Sequence, residues 1–125
     1  MHSVKKLIVV GDRVLVTPED PNQKTKSGLF LPPGIEEKEK IQGGYVVKIG
    51  PGYAIPNPNF EDEPWSAKRD PIKYIPLQAE EGDYAIFLRS QGIEIEFEDR
   101  RYIIIPHAAI LVLVRNEIQH LLDGE

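Results

Sequence analysis

Apolar and acidic residues alternate along Ile93–Phe97 more regularly than anywhere else in the chain. A period of two is typical of a β-strand with one buried and one solvated face. The charged stretch Glu98–Arg101 separates this strand from the apolar run Tyr102–Ile105. The pattern therefore predicts a β-hairpin made of these two strands.

Other short apolar runs, bounded by Gly and Pro, predict the remaining strands. They are Leu7–Val10, Val14–Val16, a glycine-bounded strand within Gly43–Gly52, Tyr84–Leu88 and the nearly continuous run Ala108–Val114. The paired glycines around the third of these are expected in tight turns. Asn116 is placed to cap a short helix, 117–123. Short strands at close intervals predict an all-β domain, and a small, partly open β-barrel is favoured over a sandwich.

The segment Lys24–Lys40 departs from this pattern. It carries three large apolar residues, Leu29–Leu31, between Gly28 and the run Pro32–Gly34, with charged or hydroxyl residues on both sides. The glycines are permissive, and each proline removes a backbone donor and restricts the residue before it. The segment is predicted to be a mobile loop with an apolar knob, while a short edge strand remains an open alternative.

A second unusual stretch is Tyr53–Pro76, which contains five prolines in a polar, acidic context. So many prolines are expected to exclude a regular element, and the stretch is long for a connection within a compact domain. It is predicted to be an inserted loop. Its aromatic residues Phe60, Trp65 and Tyr74 either form a functional surface or pack the loop onto its own domain.

Composition narrows the class of protein. The chain has 125 residues, of which 41% are hydrophobic, which is enough for one domain, 1–125. It contains no apolar run that could span a bilayer and no signal-peptide pattern, so we expect a soluble cytoplasmic protein. The absence of cysteine excludes disulfides and thiolate metal sites. A net charge of −5 with interspersed signs argues against a nucleic-acid partner.

No pattern of catalytic or cofactor-binding residues is present. The three histidines lack metal-ligand spacing, and His107, beside Pro106, is expected to be a turn residue. The sequence contains neither a glycine-rich phosphate loop nor a nucleophile elbow. No carboxylate pair lies in an apolar surround, which a general acid requires. Nothing in the sequence therefore supports an enzyme.

The order of several stretches is that of one known family. They are Gly11–Val16, Thr25–Leu31, Gly44–Gly52, Pro76–Phe87, the hairpin Gly92–Ile104 and the last strand Ile110–Val114. In this order the chain resembles the GroES-type co-chaperonins, which cap the large-ring chaperonins. It resembles a divergent member, with a long roof insertion at residues 53–75 and a C-terminal tail at residues 115–125.

The resemblance implies a homo-heptameric ring in which the first and last strands of neighbouring subunits pair side by side. The residues implied at that interface are Leu7, Ile8, Val9, Ile110, Leu111, Val112 and Leu113. The mobile loop, 24–40, would bind a GroEL-type chaperonin through Gly28, Leu29, Phe30, Leu31 and Pro32. The chaperonin would bind and hydrolyse ATP, so that this chain needs no cofactor, and unfolded client proteins would be enclosed beneath the ring.

Two alternatives remain open. The apolar knob is usually aliphatic in the family, whereas Phe30 stands in it here. One alternative is therefore a self-associating protein with the same fold that no longer binds a chaperonin. The other alternative is an enzyme or ligand-binding domain on the same small barrel, which would resemble the GroES-like half of certain dehydrogenases. It is disfavoured because the chain has no cysteine ligands and no room for a nucleotide-binding domain.

Overall fold

The structure, a computed structural model, describes residues 6–19, 40–58 and 71–115. These residues form eight β-strands and two 3₁₀ turns, Arg89–Gln91 and His107–Ala109, and contain no α-helix. The strands are β1 (Arg13–Pro18), β2 (Ile41–Ile49), β3 (Tyr53–Pro56), β4 (Ile72–Ile75), β5 (Tyr84–Leu88), β6 (Ile93–Phe97), β7 (Arg100–Pro106) and β8 (Ile110–Val114). The predicted all-β class is confirmed, whereas Asn116 and the predicted helix 117–123 lie outside the described residues.

Six strands form one antiparallel sheet in the order β6-β7-β1-β2-β5-β8, and β3 pairs with β4 in a separate two-stranded sheet. The predicted hairpin of β6 and β7 is confirmed. Its turn is shorter than predicted, because only Glu98 and Asp99 lie between the strands and both have positive φ angles, 52° and 65°. This is the geometry that matches the right-handed twist of the two strands.

The hydrophobic core lies on the inner face of the six-stranded sheet. Its largest fully buried members include Val14 and Val16 of β1, Phe87 of β5 and Ile105 of β7. Apart from Leu77 and Ala79 from the loop before β5, and Ala109, the buried members of this cluster are residues of the sheet itself. The sheet therefore curls around its own inner face, as a partly open barrel with edges at β6 and β8.

The segment Leu7–Val10, predicted as a strand, pairs with no strand within the described part of the chain. The first strand instead begins at Arg13, after a turn at Gly11 and Asp12. The physical reason is that apolar, β-prone residues form a strand only where a neighbouring strand supplies hydrogen bonds.

The glycines Gly43 and Gly44, predicted in a tight turn, lie inside β2 instead. The prediction was wrong because the missing side chain of glycine is needed here to let another residue approach the strand closely, not to form a turn. A Cβ atom on Gly43 would lie 1.9 Å from the Tyr84 hydroxyl, so the tyrosine can cross this strand only over a residue without a side chain.

The expectation that prolines exclude regular structure from Tyr53–Pro76 was also wrong. β3 and β4 form a hairpin there, in register from Tyr53 opposite Ile75 to Pro56 opposite Ile72. The prolines stand at strand ends, where a missing N–H is tolerated: Pro56 ends β3 and Pro71 precedes β4. Residues 59–70, with Phe60 and Trp65, lie outside the described residues.

Candidate interaction surfaces

The base of the segment predicted to bind a partner is fixed to the sheet at both ends. β1 and β2 are antiparallel neighbours, and the chain between them leaves at Glu19 and returns at Lys40. The Glu19 N–H donates to the Gly43 carbonyl at 3.0 Å, and the Arg89 N–H donates to the Lys40 carbonyl at 2.8 Å. The predicted binding residues themselves lie outside the described residues. They are Gly28, Leu29, Phe30, Leu31 and Pro32.

A small second core supports this base. Tyr84 packs edge-on against Tyr45 at 5.1 Å between ring centroids, within a cluster that includes Ile41 and Ile86. The Tyr84 hydroxyl donates to Oε1 of Glu19 at 3.2 Å. The aromatic pair and the hydrogen bond together fix where the chain leaves the barrel after β1.

The amino-terminal segment predicted at the subunit interface lies against the outer side of the barrel. Leu7 and Val9 are half-buried, whereas Ile8 and Val10 are exposed, which is the alternation of a strand. The segment lines an apolar groove of about 180 Å³ together with side chains of β1, β6 and β7. One side of the segment is thus packed on its own subunit, and the other side offers apolar side chains to solvent.

The second predicted interface segment is β8, at the other end of the sheet. It pairs with β5, and a β-bulge makes Leu111 an extra residue between the pairs Ile86–Val112 and Phe87–Ile110. The bulge leaves both Leu111 and Val112 exposed, at 56% and 42%. A groove of about 360 Å³ follows β8, and its polar lining residues are Gln78, His107 and Arg115.

The two predicted interface segments therefore do not meet within one subunit. The amino-terminal segment contacts the β6-β7-β1 side of the sheet, whereas β8 is the opposite edge strand, with β2 and β5 between them. They can meet only if one copy of the chain lies beside another.

An ion pair that the sequence patterns did not predict holds the end of β8. Arg115 donates from Nε to Oδ1 of Asp83 at 2.7 Å and from Nη2 to Oδ2 at 2.6 Å. Asp83 is buried, with 2% of its surface exposed, and also accepts the Glu80 N–H at 2.8 Å. The hydrogen bond with Asp83 raises the pKa of Arg115 above its ordinary value. Such a two-pronged pair fixes orientation as well as distance.

His107, predicted to be a turn residue, begins a 3₁₀ turn and joins three parts of the chain. Its backbone N–H donates to the Asp12 carbonyl at 2.8 Å. Its Nε2 accepts the Ala79 N–H at 3.4 Å, so Nδ1 carries the ring proton and donates to the Tyr53 hydroxyl at 3.1 Å. The imidazole thus ties the β3–β4 hairpin to the barrel beside β8.

The residues at these surfaces carry no sign of a metal centre. Across 6–19, 40–58 and 71–115, no three His, Cys, Asp or Glu residues are grouped so as to hold a metal ion. The same ranges contain no helix that is long and apolar enough to cross a membrane.

Comparison with known proteins shows which family this chain matches. The family model described as the chaperonin 10 Kd subunit matches residues 6–114. The co-chaperonin GroES of Coprothermobacter proteolyticus is 32% identical over 108 residues, which cover 86% of this chain and 94% of the relative. The co-chaperonin GroES of Rhodothermus marinus is 30% identical over 112 residues, covering 90% and 95%. That of Listeria welshimeri is 32% identical over 106 residues, covering 85% and 96%. Because the family model and these relatives span most of its length, the chain belongs to the chaperonin 10 Kd subunit family, the GroES-type co-chaperonins, which are non-enzymatic chaperones.

Proposed function

We propose that this protein caps a large-ring, GroEL-type chaperonin in a nucleotide-dependent way and so assists the folding of enclosed client proteins in the cytoplasm. The observation that carries the proposal is the match to the chaperonin 10 Kd subunit over residues 6–114, which extends across the whole loop segment. Nucleotide binding and hydrolysis belong to the chaperonin partner, and this chain needs no cofactor. The names of the relatives, all co-chaperonin GroES, give no support to a protein that has lost its chaperonin.

The contact with the chaperonin is assigned to the apolar knob Leu29–Leu31 and its neighbours Gly28 and Pro32. Burying each knob side chain contributes about 1.5–3 kcal/mol, whereas ordering a flexible backbone costs about 1–2 kcal/mol per residue. A single loop should therefore bind weakly, although Pro32 reduces the ordering cost by restricting the free chain. Several loops on one ring bind with high avidity. When the binding sites of the partner shift, all of these contacts weaken at once and the avidity is lost.

The ring is proposed to form by pairing the Leu7–Val9 segment of one copy with the Ile110–Leu113 portion of β8 in the next. The alternation of exposed side chains along the first segment supports this pairing, as does the groove beside β8. The two surfaces differ and lie towards opposite ends of the strand order, so the contact between copies is head-to-tail. Such contacts form a closed ring when repeating the rotation from one copy to the next returns to the first copy. A homo-heptamer is the ring that the family resemblance implies.

Native mass spectrometry tests the proposal directly. We expect the protein alone to form a ring and to join a GroEL-type chaperonin only when nucleotide is added. The variant Phe30→Asp should form the same ring and fail to join, because a carboxylate cannot enter an apolar groove without a large desolvation penalty. A wild-type ring that never joins the chaperonin, with or without nucleotide, would refute the capping function.

A further inference from the structure

β8 is an edge strand whose free side carries apolar residues. It is the last strand in the order of the six-stranded sheet and, among the described residues, it pairs only with β5. The bulge leaves Leu111 and Val112 exposed. An unpaired apolar edge promotes unspecific association, and proteins commonly cover such an edge with a helix or a loop. This edge therefore needs a cover for as long as the chain has no neighbour.

The chain that follows β8 leaves from a fixed point at this edge. In addition to the ion pair with Asp83, Nη2 of Arg115 donates to the Gln78 carbonyl at 3.0 Å, and Nη1 lies 3.3 Å from Oε2 of Glu80. Arg115 and Gln78 also line the groove of about 360 Å³ along β8. Residue 116 therefore starts beside this groove.

The sequence after Arg115 has the pattern of a helix with one apolar side. The predicted helix, 117–123, lies beyond the described residues and beyond the part of the chain that matches the family. It carries Ile118, Leu121 and Leu122, which have the i, i+3, i+4 spacing of one helix face. So short a helix is not stable alone in water. It needs an apolar surface on which to dock.

The short connection restricts where the segment 117–123 can dock. Only Asn116 separates Arg115 from Glu117, so the Cα atoms of Arg115 and Glu117 are at most about 7.6 Å apart. The apolar groove at the amino-terminal segment lies towards the other end of the strand order, beyond β5 and β2. A helix over 117–123 is about 10.5 Å long, whereas β8 is about 17 Å long. The segment therefore fits within the length of β8 when it folds back along the groove.

We propose that, in the unassembled chain, the segment 117–123 folds back on β8 and covers Leu111 and Val112 with its apolar side. The inference rests on the ring described under the proposed function, because the same surface is assigned there to the Leu7–Val9 segment of the next copy. The two occupants compete. The segment 117–123 acts at a high effective concentration, whereas a neighbour binds in proportion to the protein concentration. The segment is thus a built-in cover that a neighbour displaces when the ring assembles.

Pairs of introduced cysteines test where the segment lies, since the chain has no cysteine of its own. The double variant Leu111→Cys/Leu121→Cys places one thiol on β8 and one on the apolar side of the predicted helix. In dilute protein we expect an intrachain disulfide, seen as a monomer that migrates faster on a non-reducing gel. In the matched pair Leu111→Cys/His120→Cys the second thiol is on the opposite side, so oxidation should be about tenfold slower or more. Equal oxidation rates would overturn the proposal.

A second measurement does not depend on the cysteine pairs. Leu121→Asp places a charge on the apolar side of the predicted helix and should release it from β8. If the segment covers β8 in about nine of ten unassembled chains, its release lowers the protein concentration for half-assembly about tenfold. The matched control His120→Asp should leave that concentration unchanged in a dilution series followed by native mass spectrometry. An unchanged or higher concentration for Leu121→Asp would overturn the proposal.

Addition of a GroEL-type chaperonin and nucleotide to the same samples separates this inference from the proposed function. Rings of Leu121→Asp should join the chaperonin as wild type does, because Leu29–Leu31 is unchanged. Equal oxidation of the two cysteine pairs in a protein that joins the chaperonin would refute the cover and leave capping intact. Selective oxidation in a protein whose rings never join would support the cover and refute capping.

The disulfide also tests the competition itself. Oxidised Leu111→Cys/Leu121→Cys should stay monomeric and should form rings after reduction, because the neighbour needs the edge that the disulfide keeps covered. Equal assembly before and after reduction would show that the segment and the neighbour do not compete, which also overturns the proposal.

Discussion

At the scale of single residues, Gly43 is required by a side chain far along the sequence. We expect Gly43→Ala to lower the free energy of unfolding by roughly 1–3 kcal/mol, because its Cβ would lie 1.9 Å from the Tyr84 hydroxyl and 2.7 Å from Cζ of the ring. Urea unfolding at fixed protein concentration measures this. In a Tyr84→Ala background the same change should cost little, and an undiminished cost there would contradict the explanation.

Arg115 and Asp83 give a second prediction at this scale. Arg115→Gln leaves a buried carboxylate without its cation and should lower the free energy of unfolding by about 1–3 kcal/mol, less than for a fully buried pair because Arg115 is half-exposed. Arg115→Lys keeps the charge but loses the two-pronged geometry, so we expect an intermediate value in the same denaturation experiment. Equal stability of all three proteins would refute the structural role.

The raised pKa of Arg115 also fixes what this guanidinium contributes to the pH dependence of stability. A group whose pKa is raised by folding contributes its full stabilisation below its unfolded pKa and loses it only as pH rises through the folded value. Arginine already titrates above pH 12, so Arg115 contributes no pH dependence between pH 6 and 9 in thermal unfolding experiments.

At the scale of the strands, local patterns predicted some elements well. β5 and β6 have the predicted bounds, because period-two alternation and flanking turn residues act over a few neighbouring positions. The number of prolines in Tyr53–Pro76 does not predict the β3–β4 hairpin, because only the positions of the prolines relative to the strand ends matter. Leu7–Val10 has a strand-like sequence, but its predicted partner is in another copy.

The bulge in β8 leads to a prediction about assembly. Because it turns Leu111 outward beside Val112, Leu111→Glu places a charge in the proposed pairing edge without disturbing the core. We expect monomers in native mass spectra and an unchanged far-UV circular dichroism spectrum. Ile93→Glu, at an exposed position of β6, is the matched control and should still form rings. Intact rings from Leu111→Glu would refute the assignment of β8 as the subunit edge.

At the scale of the whole molecule, the class of fold followed from the short, closely spaced strands and the family followed from the order of motifs, whereas the contacts that fix the surfaces could not be predicted. The Asp83–Arg115 pair joins residues 32 positions apart, and the Tyr53–His107 hydrogen bond joins residues 54 apart. Neither residue type nor local spacing marks such partners, because they become neighbours only when the sheet curls. Composition and periodicity predict elements, and the long-range contacts between elements depend on topology.

The anchored base of the loop has a consequence for reach. Glu19 and Lys40 are held by hydrogen bonds at the ends of neighbouring strands, so the 20 residues between them are anchored to the barrel at both ends. A connection of 20 residues with both ends anchored can reach no further than about half of its contour length, roughly 35 Å, from the barrel. This length sets the maximum distance between the ring and any groove that the segment could contact. Removing two residues from the segment would shorten that maximum distance by roughly 3.5 Å.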